Sequence, residues 1–135
     1  MQFDSKIKVI LRDDLMVWQA LNVTAFLMTG MGATQNIVGE NYQDRSGVQY
    51  LPMSQQLIMI HQASGKKLSE ILQKANEKEM AVALYTEELF KTYNDEANRA
   101  EVAKHQTCDL NLVGIAIRGK KNTVDKLTKG VMLYA

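Results

Sequence analysis

The sequence predicts an α/β domain in which a mixed sheet of about four main strands carries helices on both faces. Three observations carry this reading. Apolar strands and helical stretches alternate along the chain after short links, which implies a mostly parallel or mixed sheet layered with helices. Leu110 to Ile117 is a near-continuous apolar run, as in strands buried on both faces, and is expected at the centre of the sheet. Leu68, Ile71, Leu72 and Ala75 fall at i, i+3, i+4 and i+7 with Lys, Glu and Gln between them, the pattern of a surface helix with one buried stripe.

The elements follow in order. Lys6 to Leu11 alternates, with Ile7, Val9 and Leu11 on one face and Ile10 adding apolar character to the other, and reads as the first strand. Val17 to Met28 is apolar nearly all round, too long for a typical strand, and reads as a largely buried helix stopped by Gly30 and Gly32. Asp44-Arg45-Ser46-Gly47 is a turn signal between Asn41-Tyr42 and Val48-Gln49-Tyr50-Leu51, which together suggest a hairpin. Gln56 to His61 is a short apolar strand with Pro52, the one proline, just outside it. Ser64-Gly65 opens the striped helix, and Met80 to Tyr85 forms the next strand.

Thr86-Glu87-Glu88 begins a short helical turn with acids where the macrodipole favours them. Asn94 is expected to cap a helix over Asp95 to Lys104 that buries Ala97, Ala100 and Ala103. After the Leu110–Ile117 strand, Asn122 is expected to cap a last helix with Val124 and Leu127 inward and Gly130 at its C′ position. Val131 to Tyr134 adds a final strand. At 135 residues, with no repeat or low-complexity tract, the chain fits a single domain over residues 1–135.

Composition narrows the function. Sixteen basic and fifteen acidic residues leave a net charge of +1, so no global field steers the protein to nucleic acid or an anionic membrane. No apolar segment approaches the roughly 20 residues of a membrane span, no signal-peptide pattern opens the chain, and the lone Cys108 has no internal disulfide partner. A cytoplasmic protein is expected. Cys108, His61 and His105 lack metal-ligand or nucleophile spacing, and Gly30-Met31-Gly32 lacks a phosphate-binding helix after it, so no metal and no cofactor is expected.

Ligands of open α/β sheets bind beyond the carboxyl ends of the strands, which selects Arg12-Asp13-Asp14, Tyr85-Thr86 and Arg118-Gly119. At the first place, a guanidinium and two carboxylates precede a helix bearing Trp18, Gln19, Asn22 and Thr24. This is either a pocket floor with amides beside an aromatic wall, or helix capping by Asp13 or Asp14 with an Arg12 salt bridge and a core tryptophan. At the second, Tyr85 to Glu88 and Thr92 to Arg99 are dense in hydrogen-bonding groups, either a binding loop or caps and a solvated helix face. The candidate ligand-binding residues are Arg12, Asp14, Trp18, Gln19, Asn22, Tyr85, Thr86, Asn94, Asp95, Asn98 and Arg99. A small-molecule ligand is the favoured partner. The closing Arg118, Lys120, Lys121, Lys126 and Lys129 against Asp125 make a local basic surface, the one candidate for phosphate contacts. A tRNA or other nucleic-acid module is therefore the alternative.

Arg12-Asp13-Asp14-Leu15, Trp18 through Leu27, Tyr85 through Phe90, Asn94 through Arg99 and Val124 through Leu127 together resemble an uncharacterised bacterial family, domain of unknown function two thousand, over nearly the whole chain. A more distant likeness is to type 2 peptidyl-tRNA hydrolases, carried by a first strand ending in arginine with an Asp-Leu pair, and by Leu112–Ile117 followed by Val124–Leu133. This second resemblance implies the hydrolase fold and a homodimer. It also exposes departures. Met16-Val17-Trp18-Gln19 stands where the hydrolases carry a Gly-Lys-Gly-Lys loop, Asn111 stands in place of a threonine, and Asp95 alone falls at a position matching a catalytic one. A chain without the lysine lacks the cation that meets developing negative charge on the ester, so no peptidyl-tRNA hydrolysis is expected, a diverged hydrolase being the alternative.

Overall fold

The computed structural model describes residues 3–135. Its centre is a mixed sheet built from β1 (Ser5–Arg12), β4 (Ile58–Ala63), β5 (Ala81–Thr86), β6 (Leu112–Lys120) and β7 (Met132–Leu133), in the order β5-β6-β1-β4-β7. The sheet thus has five strands where about four were expected. The fifth is the two-residue β7, within the Val131–Tyr134 segment read as a final strand, which runs antiparallel to β4 with His61 opposite Leu133. β1 and β4 are parallel, and β6 runs antiparallel to both β1 and β5. The middle strand is β1, not β6, although β6 is flanked on both sides and its residues Leu112 to Ile117 are all buried. Periodicity reports burial on two faces, which every interior strand shares.

Two apolar layers sandwich the sheet. On one face α1 (Val17–Thr34) packs Ala20, Val23, Leu27 and Met31 against Ile7, Val9, Leu11 and Val113. On the other, α2 (Gly65–Glu77) and α4 (Lys121–Leu127) pack against Ile10, Ile115 and Ile117. In α2 the buried residues are Leu68, Ile71, Leu72 and Ala75, as their spacing requires, and Ser64 caps the helix by accepting from the Lys67 N–H. Each such aliphatic side chain contributes about 2 kcal/mol when buried.

Gly114 sets the depth of the first layer. A Cβ there would lie 2.7 Å from Val23 Cγ1 and 3.1 Å from Leu11 Cδ2, so the bare backbone of β6 is what lets α1 sit this close.

Several local expectations change. α1 does not stop at Gly30 but runs through Gly30 and Gly32 to Thr34, because Met31, 2% exposed, anchors the last turns in the core and offsets the roughly 1 kcal/mol cost of each glycine. Nor is α1 largely buried. Its apolar residues exceed what one stripe can cover, so Val17, Trp18, Leu21 and Phe26 face outward. The helix is capped by Gln19, whose Oε1 accepts from the Met16 N–H at 2.9 Å, and not by Asp13 or Asp14. α3 (Asp95–Ala103) begins at Asn94, whose Oδ1 accepts from the Ala97 N–H at 2.7 Å, but it buries no residue fully. Ala100 and Ala103 are exposed, and the side turned inward carries Ala97, Asn98, Glu101 and Val102. α4 starts from Lys120, so Asn122 lies inside its first turn and is not its cap. Gly130, with φ of 80°, takes the left-handed conformation foreseen after the helix. The hairpin forms as β2 (Tyr42–Gln43) and β3 (Gln49–Tyr50) around Asp44–Gly47.

Candidate functional site

Because β5 is antiparallel to β6 and β6 is antiparallel to β1, the carboxyl ends of β1 and β5 lie at the same end of the sheet. The first two sequence-selected places therefore come together, and Arg118-Gly119, near the carboxyl end of β6, falls at the opposite end. The chain leaves β5 through an irregularity at Tyr85/Thr86, where Tyr85 pairs with Gly114 but Thr86 pairs with Leu112. Such a bulge re-aims side chains next to a site. A 3₁₀ turn over Glu87–Lys91 follows, then α3.

Between α1, the 3₁₀ turn and the start of α3 lies a crevice of about 420 Å³. Its walls are aromatic. Trp18 meets Phe90 edge-on at 5.7 Å, Phe90 lies 5.1 Å from Tyr85, and Tyr85 stacks with Phe26 at 6.0 Å and 24°. Trp18, Asn22 and Phe26 are successive i, i+4 positions of α1 and share one face of it. The polar lining is Asn22, Thr92, Asn94, Asp95 and Asn98. Burial beneath α1 raises the Tyr85 phenol above its ordinary value of 10.0, so it stays a neutral hydroxyl. A second depression of about 800 Å³ continues past Phe26 and Tyr85 along α3 to Arg99 and Val102.

Six of the sequence-selected residues line the crevice itself: Trp18, Asn22, Tyr85, Asn94, Asp95 and Asn98. Arg99 lines its continuation, where its guanidinium pairs with Asp95 one helical turn away. The other four do not line the crevice. Arg12 Nε donates to Asp14 Oδ1 at 2.6 Å and its Nη2 to Glu87 Oε1 at 2.5 Å, while Nη1 lies 3.4 Å from Asn111 Oδ1. Arg12 is a tie between the ends of β1 and β5, with Asp14 as part of it, so both are committed to internal bonds. The Glu87 carboxyl is held below its usual range chiefly by the Arg12 hydrogen bond. Gln19 caps α1 and faces a separate groove with Glu88 and Asn111. Thr86 is 2% exposed, makes no cap and is interior.

Five lining residues were not among the candidates: Phe26, Leu89, Phe90, Thr92 and Tyr93, of which Thr92 and Tyr93 fall within the Thr92–Arg99 cluster. Phe26 was legible as the next i+4 step after Trp18 and Asn22. Phe90 and Tyr93 hang on a 3₁₀ turn and loop whose directions no periodicity encodes.

No group of His, Cys, Asp and Glu able to hold a metal occurs among the described residues, and none of their helices is long and apolar enough to cross a membrane. At the opposite end of the sheet, Arg118 donates to Gln56 at 3.1 Å and Gln35 at 3.3 Å, which commits it to internal bonds.

Known proteins match this chain both by family and by fold. The family model described as "Protein of unknown function (DUF2000)" matches residues 5–135. The fold superimposes on the solved structure of a protein of unknown function from Agrobacterium tumefaciens strain C58 with a TM-score of 0.94 and 45% identity, covering 99% of this chain and 100% of that one. No curated protein matches.

Proposed function

We propose, for a chain that belongs to the DUF2000 family, that it binds a small planar molecule with hydrogen-bonding edges in the crevice between α1 and α3. One observation carries this: four linked aromatic rings and the side chains of Asn22, Asn94, Asp95 and Asn98 line the same 420 Å³ cavity at the carboxyl ends of β1 and β5. Concave, mostly apolar pockets with a few convergent polar groups are where small molecules bind in such sheets. The rings supply stacking area for a flat body. Asn22 and Asn98 supply donors and acceptors for its edges, and Asp95, although paired with Arg99, adds a carboxylate at the rim. A thermal-shift panel of nucleobases, nucleosides and other heteroaromatic metabolites tests the reading. Selective stabilisation of the wild type over Asn22→Ala supports it, and a panel in which no compound distinguishes the two proteins opposes it.

Peptidyl-tRNA hydrolysis is not part of this function. Met16-Val17-Trp18-Gln19 forms the start of α1 without a lysine, and Arg99, which lines the continuation of the crevice, is neutralised by Asp95. Kinship of fold with type 2 peptidyl-tRNA hydrolases rests on β1 ending at Arg12 and on the closing β6-α4-β7 order. The exposed, unpaired Cys108 accords with a reducing, cytoplasmic setting. The nucleic-acid reading draws on basic residues of which Arg118 is committed internally, and it is the weaker one.

A homodimer is a separate reading with its own observation. α1 has no charged residue in 18 positions, yet Val17 is 71% exposed and Leu21 68%. An outward helix face of that kind suits a second copy of itself. Light scattering of the wild type and Leu21→Asp separates the cases: a dimer that Leu21→Asp converts to a monomer supports it, and a monomeric wild type at high micromolar concentration removes it.

A further inference from the structure

At the end of the sheet remote from the crevice, and on its α4 side, a separate depression of about 400 Å³ lies over the start of β1 and β4, lined among others by Lys6, Lys8, Lys121, Leu57 and Met59. Two features of it suit a ligand. Lys8 is 9% exposed although it is a lysine, and lysines are rarely buried without a full set of partners. Its Nζ donates to Thr128 Oγ1 at 2.8 Å, and that hydroxyl is fixed in turn by donating to the Val124 carbonyl at 2.8 Å. Asp125 stands 3.6 Å away, beyond hydrogen-bond range, and is chelated instead by Lys6 at 2.8 and 3.0 Å. An ammonium group has three donors, so Lys8 is held rigidly in place with donors to spare. Among the described residues the ion pairs of Lys6 and Lys8 both end on Asp125, so two ammonium groups share one carboxylate, and Lys121 adds a third cation to the lining of the depression. Beside them the floor is apolar and open: Leu57 is 85% exposed and Met59 39%, with Phe3 at the rim.

We propose that this depression is a binding site for an amphipathic organic anion, whose carboxylate or phosphate is held by Lys8, Lys6 and Lys121 while its apolar body lies on Leu57 and Met59. A buried, preoriented ammonium strengthens an anion contact by excluding water from it, and an adjacent apolar floor selects against small hydrated anions. The site is independent of the α1–α3 crevice and of whatever binds there.

The experiment is amide NMR of the 15.2 kDa protein titrated separately with decanoate, decyl phosphate, decyltrimethylammonium, inorganic phosphate and a tRNA. Decanoate or decyl phosphate should shift Lys8, Met59 and Lys121 while leaving Asn22 and Asn98 unmoved, with inorganic phosphate at least tenfold weaker. Whichever of the two binds tighter assigns the headgroup. Lys8→Met should weaken that binding by about tenfold or more, the loss of a charged hydrogen bond. Should Lys8→Met not fold, Lys121→Ala, whose side chain is on the surface, should still weaken it severalfold. Equal binding by the decyl cation, shifts confined to tRNA or inorganic phosphate, no shift with either decyl anion at millimolar concentration, or affinities unchanged by both substitutions would each overturn the proposal.

Discussion

Arg12 and Glu87, 75 positions apart in sequence, are joined by a 2.5 Å hydrogen bond that ties the end of β1 to the turn leaving β5. Asn111 Nδ2 closes the network by donating to Glu87 Oε2 at 3.3 Å. This tie holds the 3₁₀ turn, and so Phe90, at one wall of the crevice. Replacing Arg12 by Met should cost about 1 kcal/mol, since Glu87 is half exposed and solvent screens the pair, and urea unfolding measures it. The pH dependence has a definite sign. The folded Glu87 carboxyl titrates below its ordinary 4.5, so its contribution is present above that value and fades as pH falls through the lower folded value. Glu87→Gln should therefore show a shallower loss of stability on the acid side than the wild type. Parallel curves would refute the assignment.

His61 supplies a second pH prediction at a different place. It is 6% exposed, neither ring nitrogen has a hydrogen-bond partner among the described residues, and burial followed by the charge of Lys8 holds its pKa below 6.5. The unfolded chain takes up the proton first, so stability should drop as pH falls below 6.5 until the folded value is reached. His61→Leu should flatten that part of the curve. A mutant that keeps the same slope there would assign it to another group.

Gly114→Val should be among the most damaging single changes outside the site. Even the first carbon of the new side chain would lie 2.7 Å from Val23, so α1 must lift from β6. Overpacking of this kind costs about 1–3 kcal/mol. Because α1 also carries Trp18, Asn22 and Phe26, ligand affinity should fall along with the thermal midpoint. An unchanged midpoint would mean that α1 moves freely against the sheet.

Much of this was readable from the residues. The stripe of α2, the cap at Asn94, the turn at Gly47 and the meeting of the Trp18 and Asn98 clusters follow from spacing, capping chemistry and the strand-end rule. What failed did so for identifiable reasons. Met31 carries α1 past two glycines because its partners in the core lie far away in sequence. Arg12 stood among the ligand-binding candidates because Glu87 and Asn111, which hold it, are brought there only by the order β5-β6-β1. Phe90 and Tyr93 sit on irregular backbone, where the direction of a side chain has no period to be read from.

The purified protein should not release N-acetyl-aminoacyl groups from tRNA above background. A single missing electrostatic stabiliser costs about a hundredfold to a thousandfold in rate, and Met16–Gln19, at the start of α1, supplies no lysine. Release at the rate of a genuine hydrolase, abolished by Asp95→Ala, would show that Asp95 has kept a catalytic role and acquired a new cation.

The crevice itself is tested most directly by titrating a labelled sample with the best heteroaromatic compound from the thermal-shift panel and mapping the amides that move. Shifts are expected at Asn22, Tyr85, Phe90 and Asn98, with affinities about tenfold weaker in Asn22→Ala and Asn98→Ala and folding intact, the loss of one well-placed hydrogen bond each. Shifts that avoid these residues, or a panel that leaves them unmoved at millimolar concentration, would contradict it.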